Sequence, residues 1–498
     1  MTNRSFGWVS YGPSAVPTTS REGLADQRPP EMADVARLAR RAVRGVVRAA
    51  RAEEGTTLAS LLRQHLAGDA NADFSVVEEG WPAYQHVNVQ AGLDAWLAAP
   101  DRDHQLVGVI GFQHRDFGLA ELLAGQEYGP AAMRPGNVAR SNLASGPSGR
   151  VEACVRCGLY LVTDGGRRTA LLLRGAEPHS GNDRVTVQIA STDSAFAATA
   201  AAEIRASAVE HNVFRGQVLS FGGEVFGRRE SLMQFHERVP MDAAELILPA
   251  EVRAAVERQV IEVARHKEQL LAAGQHLKRG LLLYGPPGVG KTHTVRYLTG
   301  SLTGTTVIQL TGEALHLIGE ACSVARTLTP AMLVVEDVDL IAEDRGMHPG
   351  HHPMLFQLLN EMDGLAEDAD VIFVLTTNRA DLLEPALAAR PGRVDQAVEL
   401  LLPDTAGRRA LFELYRGRLE VDTSRLDTVL RRTDGVTASF LKELLRRAAV
   451  LSAEHSPPDQ RGPLTVSADE LDAALDELLD TRNAMTRVLL GGEKPAAS

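Results

Sequence analysis

Apolar residues follow two rhythms along this chain, and the change between them is the first sign of its organisation. Between about Phe74 and Phe226 they gather in short stretches broken by helical pieces. Residues 105–112, 158–163, 169–174 and 184–190 read as strands, with Gly165-Gly166 as a hairpin turn between the middle two. The alanine-rich run 195–207 reads as a helix, and 214–227 as paired strands closing this part of the chain. Further on, Val252, Val256, Val260 and Val263 recur at helical spacing until Gly274. The rhythm then changes. Residues 281–284, 306–310, 332–335, 371–376 and 397–402 are short, uninterrupted apolar runs, as strands buried on both faces are. Helical segments lie between them, which predicts a doubly wound parallel sheet with its ligand at the carboxyl ends of the strands. From Ala406 the pattern is helical only, clearest over 437–455 and 467–485, the second opening with a capping box from Ser467 to Glu470. The expected fold class is α/β: a disordered tail at 1–30, an N-terminal α/β domain at 31–227, a parallel-sheet domain at 240–404 and a helical lid at 405–490.

The run 281–284 feeds Gly285, Pro286, Pro287, Gly288, Val289, Gly290, Lys291, Thr292 and His293, and a helix follows. This is the complete spacing G-x-x-x-x-G-K-[ST]. Glycines let backbone N–H groups curl around an anion, and the helix that follows points its positive end at it. Lys291 is placed to reach the outer phosphates and the Thr292 hydroxyl to sit on Mg²⁺, so a nucleoside triphosphate is the expected ligand.

Other chemistry gathers at the ends of the later strands. Glu336, Asp337 and Asp339 follow the run 332–335. One carboxylate at such a tip can hold Mg²⁺ while its neighbour orients and deprotonates a water. Asn378 stands at the end of the next strand, where its amide can hold water and γ-phosphate in line. Arg390 and Arg393 flank a Pro-Gly turn. They are either surface charge or guanidinium groups offered to a phosphate on a neighbouring subunit.

Composition narrows the field. With 498 residues the chain needs more than one core, and a net charge of −12 argues against nucleic acid as a partner. Of Arg37, Arg40, Arg41, Arg44, Arg48 and Arg51, most still fall on one face of a helix expected at 32–51, either a solvated face or a surface for an acidic partner, nucleic acid or anionic lipid. No apolar run is long enough to span a bilayer and no signal-peptide core is evident, so a cytoplasmic location is expected. Three cysteines exclude a disulfide framework, and Cys154 and Cys157 read as core residues of a strand rather than half of a zinc site. His348, His351 and His352 read as a flexible polar loop.

Residues 240–485 resemble the AAA family of ATPases. Gly285 to Thr292 is similar to its Walker A motif and 332–339 to its Walker B, while Thr376 to Asn378 is similar to sensor 1. Asp363-Gly364 matches the Met-Asp-Gly ahead of that strand, and Arg390-Pro-Gly-Arg393 the arginine fingers. The resemblance implies a ring, usually a hexamer, with ATP and Mg²⁺ between subunits and hydrolysis driving the remodelling of a protein partner, here one bound by the N-terminal domain. Within it Glu336 takes the metal, Asp337 the role of base, Asn378 that of sensor, and Arg390 and Arg393 act on the adjacent subunit's nucleotide.

Three departures qualify that picture. Most relatives read Asp-Glu where this chain reads Glu336-Asp337, so slow but real hydrolysis is expected. The segment 312–330 is about seven residues short, close to two helical turns, and offers Leu317-Ile318-Gly319 where relatives present an aromatic residue to the pore. Sensor 2 has no evident arginine, with Ala438-Ser439 and Lys442 near its place. No His-Glu-x-x-His is present, since His236-Glu237 lacks its second histidine, which sets aside a fused zinc protease. The alternative to a remodelling ATPase is a nucleotide-gated scaffold or switch with incidental turnover.

Overall fold

The computed structural model describes residues 57–66, 74–114, 117–124, 133–177, 182–221, 233–339, 353–366, 368–380, 393–456 and 464–480. The expected tail at 1–30, the arginine-bearing helix at 32–51, Arg390 and the histidines at 348–352 lie outside the described residues. Residues Thr57–Ser498 form one compact unit.

The first sheet is built from β1 (Ser75–Pro82), β2 (Arg102–Val109), β3 (Pro135–Gly136), β4 (Ala139–Ala144), β5 (Val151–Asp164), β6 (Arg167–Arg174) and β7 (Arg184–Ser191). Its order is β1-β7-β6-β5-β2-β3, with β4 also on β5, and every pairing is antiparallel. Gly165 and Gly166 both take positive φ (53° and 88°) between β5 and β6, as the two-residue turn of a hairpin requires. One face is covered by α2 (His86–Leu97) and α4 (Ser194–Glu210), the other by α1 (Leu58–Leu66) and α3 (Leu119–Leu123). The two long helices touch at Gly92, where a Cβ would lie 2.4 Å from the Ala208 backbone, so glycine sets their separation.

Cys154 and Cys157 enter different cores, Cys154 the one shared with the second sheet and Cys157 the one under α1, on either side of a register shift between β4 and β5. Burial pushes both thiols up to about 12. No metal-binding cluster of His, Cys, Asp or Glu occurs among the described residues.

The second sheet has the order β14-β10-β13-β12-β11-β8-β9, where β8 is Val218–Phe221, β9 Met233–His236, β10 Arg279–Tyr284, β11 Thr306–Leu310, β12 Ala331–Val335, β13 Val371–Thr377 and β14 Gln396–Glu399. All neighbours run parallel except β8 and β9. This corrects the expected N-terminal domain of 31–227. The strands at 218–221 and 233–236 extend the second sheet by pairing β8 with β11, so the first sheet's part of the chain ends with α4. Alternation shows that a segment is a strand, not which sheet recruits it.

The two parts share a core. Tyr84, Val87, Leu143 and Cys154 pack with Phe214, Phe221 and Phe235, and Tyr84 meets Phe221 edge to face at 5.4 Å. The helix with the valine repeat begins at Ala250–Glu257 and passes through a π-turn at Arg258–Glu262. Buried Arg279 donates to Gln259 O at 3.0 Å there, giving that turn a side-chain partner.

The strand expected at 397–402 ends at Glu399. Leu401 and Leu402 are instead exposed at the sheet's rim, the first at 65%. The described residues after β14 are mainly helical, but Glu420–Val421 and Thr465–Val466 pair as a short parallel ladder that the helical-only pattern did not predict. Thr437 caps Ala438–His455, and Ser467 and Glu470 form the capping box of Ala468–Leu479.

Candidate functional site

Sheet order explains why distant motifs meet. Strands β10, β13 and β12 are consecutive in the sheet, so the loops at their carboxyl ends face one another. After β10 the chain turns through Gly285, Gly288 and Gly290 at φ of 142°, 81° and 111°. A Cβ on Gly285 would lie 2.2 Å from Leu400 O, so only glycine fits. Gly290 caps α5 (Lys291–Ser301) in the left-handed conformation. The first-turn N–H groups of that helix have no acceptor within it, and they form the positive end that an anion meets.

Lys291 is buried, and its ammonium donates to Gly285 O (2.7 Å), Pro286 O (2.9 Å) and Asn378 Oδ1 (2.7 Å). Burial lowers its pKa, and the charges of Asp337 and Asp339 act the other way. Asn378 in turn donates through Nδ2 to Asp337 Oδ1 at 3.3 Å. Lysine, sensor amide and acid thus form one hydrogen-bonded chain across three strand ends.

Asp337 sits at φ 52°, left-handed for a residue with a side chain, and its N–H donates to Thr376 Oγ1 at 3.1 Å. Glu336 is half-buried. Burial raises its pKa, Asp337 raises it further, and Arg296 partly offsets both. A carboxyl held above its ordinary range suits a cation site, because a bound cation favours the ionised form. Glu336 and the exposed Thr292 hydroxyl are the hard oxygen donors that Mg²⁺ takes.

One expectation needs correction. Arg393 is not offered to a neighbouring subunit. Its side chain is 1% exposed and grips Asp363, with Nε donating to Oδ1 at 2.9 Å and Nη2 to Oδ2. The backbone there is fixed as well, since Gly280 N–H donates to Asp395 Oδ2 at 2.8 Å and a Cβ on Gly280 would collide with Arg393 O. Leu317 and Ile318 turn inward. Ile318 is 0% exposed and Leu317 packs on the same core, because the shortened segment folds as a 3-10 turn into the helix Ile318–Thr327.

In the lid, Ser439 N–H reaches Gly288 O at 3.4 Å, while Lys442 lies over the Tyr415 ring at 5.9 Å.

The sequence missed one component. A cavity of about 360 Å³ opens beside the phosphate loop, walled by the strap 244–249, by Val289, Gly290 and His293, by Leu401 and Leu402, and by Leu411, Tyr415 and Ala438 of the lid. It is mainly apolar with a few polar groups at its edge, as small-molecule pockets are. His293 donates from Nε2 to Glu245 O at 3.2 Å and ties the strap to α5. The signals were the capping box from Asp242 to Glu245 and two exposed leucines after a strand, both too short to carry periodicity.

Residues 281–402 match the family model described as ATPase family associated with various cellular activities (AAA). The chain is 33% identical over 251 residues to ATP-dependent zinc metalloprotease FtsH 1 of Sphaerobacter thermophilus, covering 47% of this chain and 37% of that protein. It is 32% identical over 235 residues to ATP-dependent zinc metalloprotease FtsH of Mycobacterium leprae, covering 44% and 29%. With FtsH 1 of Thermomicrobium roseum the figures are 30% over 296 residues, 56% and 43%. The chain therefore spans less than half the length of these relatives.

Proposed function

We propose, because the chain belongs to the AAA family of ATPases, that it binds ATP with Mg²⁺ and hydrolyses it as a ring-forming homo-oligomer, a hexamer by family precedent, that remodels a protein partner. The observation that carries the reading is the hydrogen-bonded chain from Lys291 through Asn378 to Asp337. Triphosphate entering the loop takes over the Lys291 ammonium from the Gly285 and Pro286 carbonyls. Asn378, held between lysine and acid, orients a water for Asp337 to deprotonate. Mg²⁺ held by Thr292 and Glu336 would supply charge neutralisation at the phosphates. The apolar cavity takes the nucleoside end.

The partner is assigned to the antiparallel-sheet part of the chain, which has a core of its own and no metal-binding cluster among the described residues. Among those residues no helix is long and apolar enough to cross a membrane. A cytoplasmic setting belongs to the same proposal. The relatives are named zinc metalloproteases; this sequence has no His-Glu-x-x-His, so the proposal is confined to the ATPase.

A second reading, a nucleotide-gated switch with incidental turnover, is favoured by buried Ile318 and by the short side chain of Asp337. Steady-state phosphate release separates the two. The remodelling reading expects turnover that Lys291→Ala abolishes and a protein partner stimulates, whereas turnover indifferent to Lys291→Ala defeats the ATPase assignment.

A further inference from the structure

We propose that Asp339 is a positioning residue for the hydrolytic step, a deepening that rests on the ATPase reading above. Asp339 follows the two acids at the end of β12 but is 8% exposed, and its carboxylate bridges the seam from β12 to the end of β13. One oxygen, Oδ1, accepts from the Thr377 hydroxyl at 2.8 Å and from the Asn378 backbone N–H at 3.3 Å. Thr377 is fully buried, and its Oγ1 also accepts from the Arg379 N–H at 2.9 Å. Asp339 therefore fixes the backbone of three successive residues just where β13 leaves the sheet.

The middle residue of those three is Asn378. Its Oδ1 takes the Lys291 ammonium and its Nδ2 holds Asp337, so a rotation of its backbone misplaces the proposed base, while Lys291 keeps its contacts with Gly285 O and Pro286 O. A carboxylate suits this task because hydrogen bonds to an ionised acceptor are shorter and about twice as strong as neutral ones. A metal ligand or a second base needs an accessible carboxylate, which the burial of Asp339 denies it.

The test separates acceptor geometry from charge. Asp339→Asn keeps an Oδ1 acceptor for Thr377 and Asn378, so kcat stays within about threefold of wild type. Asp339→Ala lowers kcat by about 100-fold, the cost of a displacement of about 1 Å at a reacting group, with KM for ATP nearly unchanged. In an Asn378→Ala background the further change to Asp339→Ala has little effect, because both act through one group. Thr377→Val, close in shape to threonine, gives the same kcat-specific loss and serves if Asp339→Ala does not fold. Equal damage from Asn and Ala overturns the proposal in favour of a charge role, and a loss that adds fully to Asn378→Ala overturns it in favour of general destabilisation. Absence of Lys291-dependent turnover in the wild type overturns the ATPase reading and this inference with it.

Discussion

Breaking the pair of Arg393 and Asp363 from either side should give unequal results, and the inequality reports where Arg393 works. The arginine side chain is 1% exposed and the aspartate 51%, so the two charges have very different access to water. Asp363→Ala strands a guanidinium in the protein interior, where one nitrogen, Nη1, already has no hydrogen-bond partner among the described residues. Removing one member of a fully buried pair costs about 3–5 kcal/mol, and since Asp363 is half in solvent the expected loss is about 2–3 kcal/mol. Arg393→Met instead fills the slot with an apolar chain and leaves a carboxylate that solvent can reach, so it costs about 1 kcal/mol or less.

For a module of this size each kcal/mol moves Tm by about 2–4 °C. Calorimetry should therefore show Asp363→Ala melting about 4–12 °C below wild type, with Arg393→Met within about 4 °C of it. Turnover should fall in both variants, because the turn that leads into β14 loses its anchor. A guanidinium acting on a neighbouring subunit makes the opposite forecast: Arg393→Met abolishes turnover with Tm unmoved, and Asp363→Ala leaves turnover intact. That pattern would refute the internal assignment.

Two further outcomes follow from the site. His293→Leu removes the hydrogen bond to Glu245 O; at about 1 kcal/mol net nucleotide affinity should weaken about fivefold in a fluorescence titration, with His293→Gln recovering most of it, and an unchanged affinity in the leucine variant means the strap does not depend on this bond. Glu336 is held above the usual glutamate range by burial and Asp337, so its favourable contribution is complete below the ordinary glutamate pKa and is lost as pH rises through the raised value. Glu336→Gln should then raise Tm of the nucleotide-free protein at neutral pH, with the gap closing on acidification; a gap that widens in acid contradicts the assignment.

Much of the phosphate end was legible in the sequence because its constraints are local. The glycines at 285, 288 and 290 occupy backbone conformations that other residues avoid, and the strands on either side are apolar without interruption because both faces are buried. The partner of Arg393 was not legible. Asp363 and Arg393 are thirty positions apart, and the guanidinium finds its carboxylate only because the helix Pro353–Asp363 ends beside the start of β10. There Lys278 Nζ donates to Met362 O at 3.3 Å, a contact between segments that no local pattern connects. The cavity was hidden for a related reason: its walls come from four separate segments, and no periodicity marks a surface assembled from loop, strap and lid.

The boundary between the two halves failed on a point of principle. Residues 214–227 read as paired strands, and the natural inference from order along the chain is that such a pair completes the sheet just built. Here β8 lies parallel to β11, which leaves β9 as the new edge and places Phe221 under Tyr84 of the first half. Tyr84 also stands close enough to Glu320 to feel its charge, and Glu320 opens the helix that follows Leu317. The first half is thus packed on the edge strand and beside the helix that precedes β12, whose end carries Glu336 and Asp337. Shifting it relative to the second sheet exposes aromatic surface, at about 25 cal/mol for each Å², so a displacement of the first half acts on the second sheet directly rather than through a slack linker.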